Sequence, residues 1–528
     1  MNENNGGRRW KTPGALHSAW LRLERALNGA TTSAYNPFYY LGAIGIFFLW
    51  VIMGTGVYIF LFYDITARGA YDSVQYLTVN QWYFGGVMRS LHRYASDGLV
   101  IVMFMHAARC FMLDRYKHYR WLAWVTGVVI MWAIVAGGIF GYWMVWDERA
   151  RVAASLAAKM IENLPIFGLP LSLNFARVEN LTDQLFYIVL FIHFSSMFFL
   201  FILLLVHLAR TTKSIINPPR LVVYGLAFAL IALSFIKPAT SGPPADLKTL
   251  PASVSFDWFF MFIFPALKDL SPRGLWGFIV VITGVIGIVP WLTREKRKPA
   301  VSLTLPNCTG CELCLLDCPY SAIQMRPRTD RLPYPVEPVI SAARCASCGL
   351  CVGACDYSAL NLPDLPEAPV KADIKRLSAE LKAAPGGAAP GGAAPGGAAP
   401  GGAKVMVFAC AKGAWIGNNA PASNELKGMP WARVVALPCI GMLQPSMLAI
   451  PFEEGVDGVY VAGCREGDCH YRRGNVWFTG RLAGARPPVV KRSIDRARVK
   501  TVWLSAAEAG QFASELKAFQ SGLKRRDS

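Results

Sequence analysis

The chain has 528 residues; 54% are hydrophobic, 16% are charged and the net charge is +19. Mean hydropathy is +0.34, which describes a membrane protein with a soluble portion and two to four domains. A soluble nucleic-acid binder is excluded, because the basic residues cluster beside hydrophobic runs, where topology and anionic lipid account for them. A disulfide framework is excluded as well: twelve of the thirteen cysteines lie after residue 300 in tight clusters, the pattern of metal ligation in a reducing compartment.

In chain order, MNENNGGRRWKTPGALHSAWLRLERALNG is basic and has no apolar core of a signal peptide. Residues 1–35 therefore read as an amphipathic helix lying on the cytoplasmic face. Six apolar runs come next, at 38–63, 86–112, 119–146, 184–209, 219–237 and 274–293; each is long enough to span a bilayer, the fifth only just. Basic connections alternate: the N-terminal arm, then Arg109, Arg115, Lys117 and Arg120, then Arg210, Lys213 and Arg220, then Arg294, Lys296, Arg297 and Lys298. The positive-inside rule puts all four in the cytoplasm. A rival run, FDWFFMFIFPALKDL at 256–270, is short and ends in charges, so it reads as a non-spanning hairpin on the outer side.

The second span carries His92 and His106, and the fourth carries His193 and His207. Fourteen residues is just under four helical turns, so each pair lies on one helix face, roughly 21 Å apart along the axis. Two such helices side by side stack two bis-histidine pockets across a hydrocarbon core of about 30 Å, the geometry for two haems. Gly42 and Gly56 on the first span, and Gly127 and Gly141 on the third, repeat the same spacing. A residue without a Cβ lets a flat macrocycle approach the backbone, although membrane helices also use small residues for packing. Cys110 reads as a small apolar filler.

These residues, with HAAR after His106 and GYWMVW closing the third span, resemble cytochrome b of the quinol-oxidising bc-type complexes over residues 36–297. The resemblance implies that His92 and His193 bind an outer haem b and His106 and His207 an inner one. It makes Arg89 and Arg109 candidate partners of haem propionates. KMIENLPIFG looks like that family's surface helices over an outer quinol pocket. PADLKTLPASVSFDWFF resembles the stretch ending in Pro-Glu-Trp-Tyr, with Asp257, Trp258 and Phe259 as the candidate quinol site. Departures are Asp257 for glutamate, Phe256 for proline, and a fourth span without the usual arginine before and proline after its first histidine.

Residues 300–365 contain CTGCELCLLDCPY and CASCGLCVGACDY, the C-x2-C-x2-C-x3-C run twice. Each run gives three thiolates to one [4Fe–4S] cluster and its fourth to the other. Cys308, Cys311, Cys314 and Cys355 form one set; Cys345, Cys348, Cys351 and Cys318 form the second. This is similar to bacterial two-cluster ferredoxins, with Asp356 where proline is usual.

Residues 366–403 run from a helical stretch, VKADIKRLSAELKAA, into APGGAAPGGAAPGGAAPGGA, a low-complexity tether that leaves the position of the next domain open. From 404 to 528, VMVFAC, RVVALPC and GVYVAGC alternate with helical stretches, implying a small α/β domain with a parallel sheet. Cys410, Cys439 and Cys464 end these strands and Cys469 comes shortly after, so four thiolates can converge at one sheet edge. VFAC, ALPCIGML and VAGCREGDCHYRRGN resemble the small iron–sulphur (delta) subunit of methyl-viologen-reducing hydrogenases. That implies a [2Fe–2S] cluster and a flavoprotein partner. The family's further cysteines after the first are replaced here by AKGAW. His470 is a candidate neighbour of the cluster or a loop cap.

The expected molecule is multidomain: an all-α transmembrane bundle of six spans (36–299), a small α+β ferredoxin-like domain and a small α/β parallel-sheet domain. The implied function is an oxidoreductase subunit in the cytoplasmic membrane of a prokaryote, a homodimer within a larger complex. It exchanges electrons between quinone or quinol and a cytoplasmic flavoprotein or ferredoxin. Two alternatives stand: quinol bifurcation with a Rieske protein and cytochrome c, and a C-terminal domain that only docks.

Overall fold

The computed structural model describes residues 15–164, 171–175, 181–209, 214–248, 254, 257–292, 298–383, 402–412 and 424–524. The chain forms two compact units: Tyr40–Arg210 with Ile215–Arg294, and Met1–Tyr39 with Thr211–Ser214 and Glu295–Ser528. Helix α1 (Ala15–Thr31) belongs to the second unit.

The first unit is helical: α2 (Leu41–Phe60), α3 (Gly69–Gln75), α4 (Gly85–Met112), α5 (Trp121–Val145), α6 (Glu148–Ile161), α7 (Asp183–Ala209), α8 (Arg220–Ile236) and α9 (Pro272–Leu292). The helices pair α2 with α4 and α5 with α7, while α8 lies on α4 and α9 on α5. Ile44, Phe48 and Ile52 of α2 pack on Ala95 and Leu99 of α4, and Ile130 and Ile134 of α5 join the same cluster. The outward faces are also apolar: Phe191, Phe198 and Leu205 of α7 are about 70% exposed. A helix hydrophobic all round belongs in lipid.

Among the described residues, five helices are long and apolar enough to cross a membrane, not the six expected; α8 is the shorter apolar helix. Pro218 and Pro219 bound α8 before Arg220, and Pro238 follows Lys237, so its 17 residues cannot extend. They span about 25 Å. The segment around Asp257 is a turn followed by the short 3-10 helix Phe264–Lys268 rather than a span. Asp147 caps α6 by accepting from Ala150 N, and its other oxygen accepts from Gly242 N, which ties α6 to the stretch before Asp257.

In the second unit, β1 (Ser302–Leu303), β2 (Ile323–Pro327), β3 (Val336–Ile340) and β4 (Leu360–Asn361) pair antiparallel as β1 with β4 and β2 with β3. Helices α10 (Leu313–Asp317) and α11 (Leu350–Gly353) each carry a cysteine run. Helix α12 (Glu367–Ala383) buries Val370, Ile374, Leu377 and Leu381, one stripe at helical spacing.

A third sheet contains β5 (Val405–Cys410), β6 (Glu425–Leu426), β7 (Met429–Leu437), β8 (Gly458–Cys464) and β9 (Val499–Leu504) in the order β6-β7-β5-β8-β9; all neighbours are parallel except β6 with β7. Helices α13 (Pro445–Glu453), α14 (Gly474–Ala483) and α15 (Ala509–Lys524) complete the domain. All six residues of β5 are buried because both faces are covered. Val405, Val407 and Ala409 face Phe512 and Leu516 of α15. Met406 and Phe408 face a core that also holds Ile374, Leu377, Val352, Leu360 and Cys351.

That shared core settles the position that the tether left open. Residues 384–401 of the repeat lie outside the described residues, and the domain after it is packed on the ferredoxin-like domain. The N-terminal segment is helical as expected, and it too rests on protein: Arg25 Nε donates to Ala507 O at 3.1 Å and Tyr39 Oη to Ser505 Oγ at 2.9 Å. Glu24, 1% exposed, accepts from Trp20 Nε1. A buried carboxylate with a fixed indole donor suits a protein contact rather than a lipid face.

Candidate functional site

The four histidines sit where their helices pair. His92 on α4 and His193 on α7 face each other with ring centroids 6.4 Å apart. Two metal–imidazole bonds of about 2.0–2.1 Å, with a ring radius at each end, need roughly 6–6.5 Å. His92 Nδ1 lies 3.0 Å from Ile52 O, and His193 Nδ1 lies 2.9 Å from Gly137 O. A carbonyl only accepts, so Nδ1 carries the proton in both rings and Nε2 keeps its lone pair for a metal. Thr126 Oγ1 donates to Leu122 O and so accepts from His207 Nδ1 at 3.1 Å.

The glycines back the imidazoles. A Cβ on Gly56 would stand 3.1 Å from His92 Cε1, on Gly141 3.0 Å from His193 Cε1, on Gly42 3.3 Å from His106 Cε1, and on Gly127 3.4 Å from His207 Cε1. These glycines therefore clear room for a ligand ring, whereas their spacing alone suggested clearance for the macrocycle. Each pocket is built from four helices, a glycine helix behind each histidine helix. Cys110 Sγ lies one turn from His106, 3.9 Å from its Nε2. Arg89 donates to Thr78 Oγ1 and, at 2.7 Å, to Ser241 Oγ, while Arg109 is buried.

Beside the outer pair lies a charge network around the buried Asp257. Asp257 Oδ1 accepts from Phe259 N at 2.7 Å, and Oδ2 is bonded by Arg93 and by Tyr142 Oη. Arg93 follows His92 directly, also pairs with Asp97 at 2.6 Å, and lies over the Tyr142 ring. Phe260 fills the space of a side chain at Gly138, next to the carbonyl that holds His193. Trp258 is 72% exposed.

In the ferredoxin-like domain the eight cysteines line two cavities. Cys308, Cys311, Cys314 and Cys355 line one of about 360 Å³; Cys318, Cys345, Cys348 and Cys351 line the other, of about 350 Å³. The fourth cysteine of each run crosses to the other cavity, as the spacing implied. Amides point at the sulphurs: Gly310 N at Cys308, Ala322 N at Cys318, Ser347 N at Cys345 and Ala359 N at Cys355, at 3.3–3.5 Å. Burial, helped by the neighbouring thiols of its own set, pushes the Cys314 thiol up to about 12. Burial likewise raises Cys348 and Cys351, so a bound cation is what would favour their thiolates.

In the C-terminal sheet, Cys410 and Cys464 end β5 and β8, and Cys439 comes two residues after β7. These three strands adjoin, with the first in sequence in the middle, so the chain order reverses at β5; ligands of parallel sheets bind at the carboxyl ends of strands at such a point. Cys410 Sγ and Cys464 Sγ are 3.6 Å apart. Two thiolates on one tetrahedral metal with bonds of about 2.3 Å stand about 3.8 Å apart. Hydrogen bonds from Cys439 and Cys464 hold the Cys410 and Cys469 thiols well below the usual range, and donating those bonds raises Cys439 and Cys464. Cys469 also receives the Gly474 and Asn475 amides at the start of α14. His470 packs edge-on against Tyr471 at 4.7 Å.

Three stretches of the chain match known protein families. Residues 27–215 match the family "Cytochrome b/b6/petB", residues 307–359 the "4Fe-4S dicluster domain", and residues 405–525 "Methyl-viologen-reducing hydrogenase, delta subunit". Cytochrome b6 of Mastigocladus laminosus is 33% identical over 157 residues, which is 29% of this chain and 73% of that protein. The chain belongs to the cytochrome b family. Cytochrome b6 of Synechococcus elongatus is 34% identical over 153 residues, 28% of this chain and 71% of the relative. A solved structure titled "Hyperthermophilic respiratory Complex III" aligns with TM-score 0.40 and 17% identity, covering 49% of this chain and 76% of that one.

The cytochrome b region contains site residues that sequence reasoning missed. Thr55 and Thr126 each precede a paired glycine, and each hydroxyl reaches a histidine Nδ1; the repeated Thr-Gly was the available signal. Arg93 and Asp97 are ionisable residues within an apolar span, a mark of function in itself. Tyr142 gave no separate signal inside GYWMVW.

Proposed function

We propose that this cytochrome b family member is a membrane-bound electron-transfer subunit that exchanges electrons between the quinone pool and a cytoplasmic redox partner, holding two b haems and iron–sulphur clusters. The observation that carries the reading is the outer histidine pair: rings at bis-ligating distance, oriented by backbone carbonyls, next to a buried carboxylate. His92 and His193 would hold the outer haem, and His106 and His207 the inner one. Gly42, Gly56, Gly127 and Gly141 clear the imidazoles, while Arg89 and Arg109 would partner the propionates. The two ferredoxin-like sets would hold [4Fe–4S] clusters, and Cys410, Cys439, Cys464 and Cys469 a [2Fe–2S] cluster. When bound, these groups carry single electrons, and the protein sets their spacing, insulation and potential.

The chain's own residues handle the proton. At the outer site Asp257 Oδ2 would accept a quinol proton, with Tyr142 and Arg93 orienting the carboxylate. If α8 also crosses, the chain would return to the side of the basic connections, and the cysteine-rich unit would lie in the cytoplasm of a prokaryote, where a flavoprotein or ferredoxin could dock; the assembly would be a homodimer within a complex.

Purification from native membrane tests the reading. Two haems per chain, iron in excess of haem, and a co-purifying flavoprotein are expected. A polypeptide without b-type absorption on reduction sinks it. The Asp257 network favours a second reading, quinol bifurcation, in which one electron leaves through a Rieske protein; that reading requires a co-purifying Rieske protein and cytochrome c. If Cys410→Ser with Cys439→Ser leaves iron content unchanged, the C-terminal domain is a docking module.

A further inference from the structure

Among the contacts that join the two cysteine-rich domains, several lie beside ligand positions. Gly353 and Gly441 touch through the backbone: a Cβ on Gly353 would collide with Gly441 O. Gly353 lies two residues after Cys351 and Gly441 two after Cys439. Leu350, between Cys348 and Cys351 and fully buried, lines the cavity of Cys318, Cys345, Cys348 and Cys351. A Cβ added at Gly474 would collide with Cys439 Sγ and lie 3.6 Å from Leu350 Cδ2, so the thiol and the leucine methyl are near neighbours. The partition between the two sites is one side chain thick.

A buried ion pair clamps that partition. Asp317, the residue before Cys318, is 2% exposed and bonded by Arg481 and by Arg486, the latter through Nε at 2.8 Å. Arg481 is 0% exposed; Nη1 donates to Gly441 O at 2.7 Å. Its Nε–H has no acceptor among the described residues, and Cys439 lies near the guanidinium. Gln444 Nε2 adds bonds to Val352 O and Cys355 O, both at 2.9 Å.

We propose that the Leu350–Gly353 and Cys439–Met442 contact is an electron-transfer junction. It makes the Cys318/Cys345/Cys348/Cys351 set, rather than the Cys308/Cys311/Cys314/Cys355 set, the direct redox neighbour of the four-cysteine site in the parallel sheet, with Arg481 as the positioning residue between them. The inference rests on the reading that both sites hold iron–sulphur clusters. One electron leaves a reduced [4Fe–4S] cluster, which is oxidised, and enters the oxidised cluster across the contact, which is reduced; no bond changes and no proton moves. The permanent charge of Arg481, out of water and beside both sites, favours the reduced state of each.

The test is electron paramagnetic resonance of the full chain at graded reduction, with iron counted in every sample. The signal lost in Cys464→Ser belongs to the C-terminal site. It is expected to broaden and relax faster once the neighbouring cluster is reduced, an effect lost in Cys345→Ser and kept in Cys311→Ser. Dependence on Cys311 rather than Cys345, or no coupling with both sites loaded, overturns the junction. No iron at the four-cysteine site overturns it together with the reading beneath it, an outcome the iron count separates from the first. In Arg481→Met the midpoint of the C-terminal signal falls, and Arg481→Lys restores it; an unmoved midpoint in Arg481→Met removes the arginine's role.

Discussion

The two units build their ligand sets in opposite ways. In the membrane unit every candidate ligand sits on a regular helix, so a fourteen-residue period in the sequence becomes a vertical spacing in space, and the glycine period repeats it on the partner helix. In the cysteine-rich unit no single element holds a complete set. Cys318 and Cys355 cross to the other cavity, and Cys410, Cys439 and Cys464 come from three strand ends brought together by sheet order. Helical sites are written in local periodicity; the cysteine sites close only when the tertiary fold closes. A single substitution should therefore be local in the first unit and spread in the second.

The largest effect expected is loss of one haem. His193→Ala removes a ligand from the outer pair alone, so reduced b-type absorbance should fall by about half, since two sites of this kind each contribute one centre. Loss of all absorbance would show that the pockets are not independent. Asp257→Asn keeps one accepting oxygen, for Phe259 N or for Arg93 but not for both, and removes the base. Quinol oxidation at the outer site should drop by about 10²–10⁴-fold, with the haem spectrum unchanged; unchanged turnover would move proton acceptance elsewhere, Asp97 first.

In the second unit, Asp317→Ala leaves Arg481 buried without its carboxylate. Removing one partner of a buried pair costs about 3–5 kcal/mol, and here both domains should loosen together. Denaturant unfolding of the ferredoxin-like and C-terminal domains should shift to lower concentration as one transition; a shift confined to one of them would deny the shared core. The smallest effect separates the glycines. A methyl on Gly127 meets His207 at 3.4 Å, an ordinary contact, whereas on Gly141 it meets His193 at 3.0 Å. Gly141→Ala should lose haem on heating sooner than Gly127→Ala, and the reverse order would contradict the role given to these glycines.

Much of this was legible in the chain. The apolar runs appear as helices, the parallel sheet forms from the strands read in 404–528, and the x3 step of each cysteine run crosses between cavities. Other features were not legible. The length of α8 was set by flanking prolines, whose effect on a hydropathy run is easily averaged away. Arg93, Asp97, Tyr142 and Asp257 come from three separate stretches, so their network has no sequence period.

By itself the sequence determined which side chains can hold a redox group and at what spacing, because helical rise and the cysteine run are properties of neighbouring residues. Only the tertiary structure decided that α1 packs on the C-terminal domain, that this domain docks on the ferredoxin-like one, and that Arg481 lies between two cysteine sites. Those contacts join residues far apart in sequence, such as Arg25 with Ala507 and Asp317 with Arg481. The physical reason is that burial of a charge or an apolar face depends on what the rest of the chain brings to it, and no local pattern carries that information.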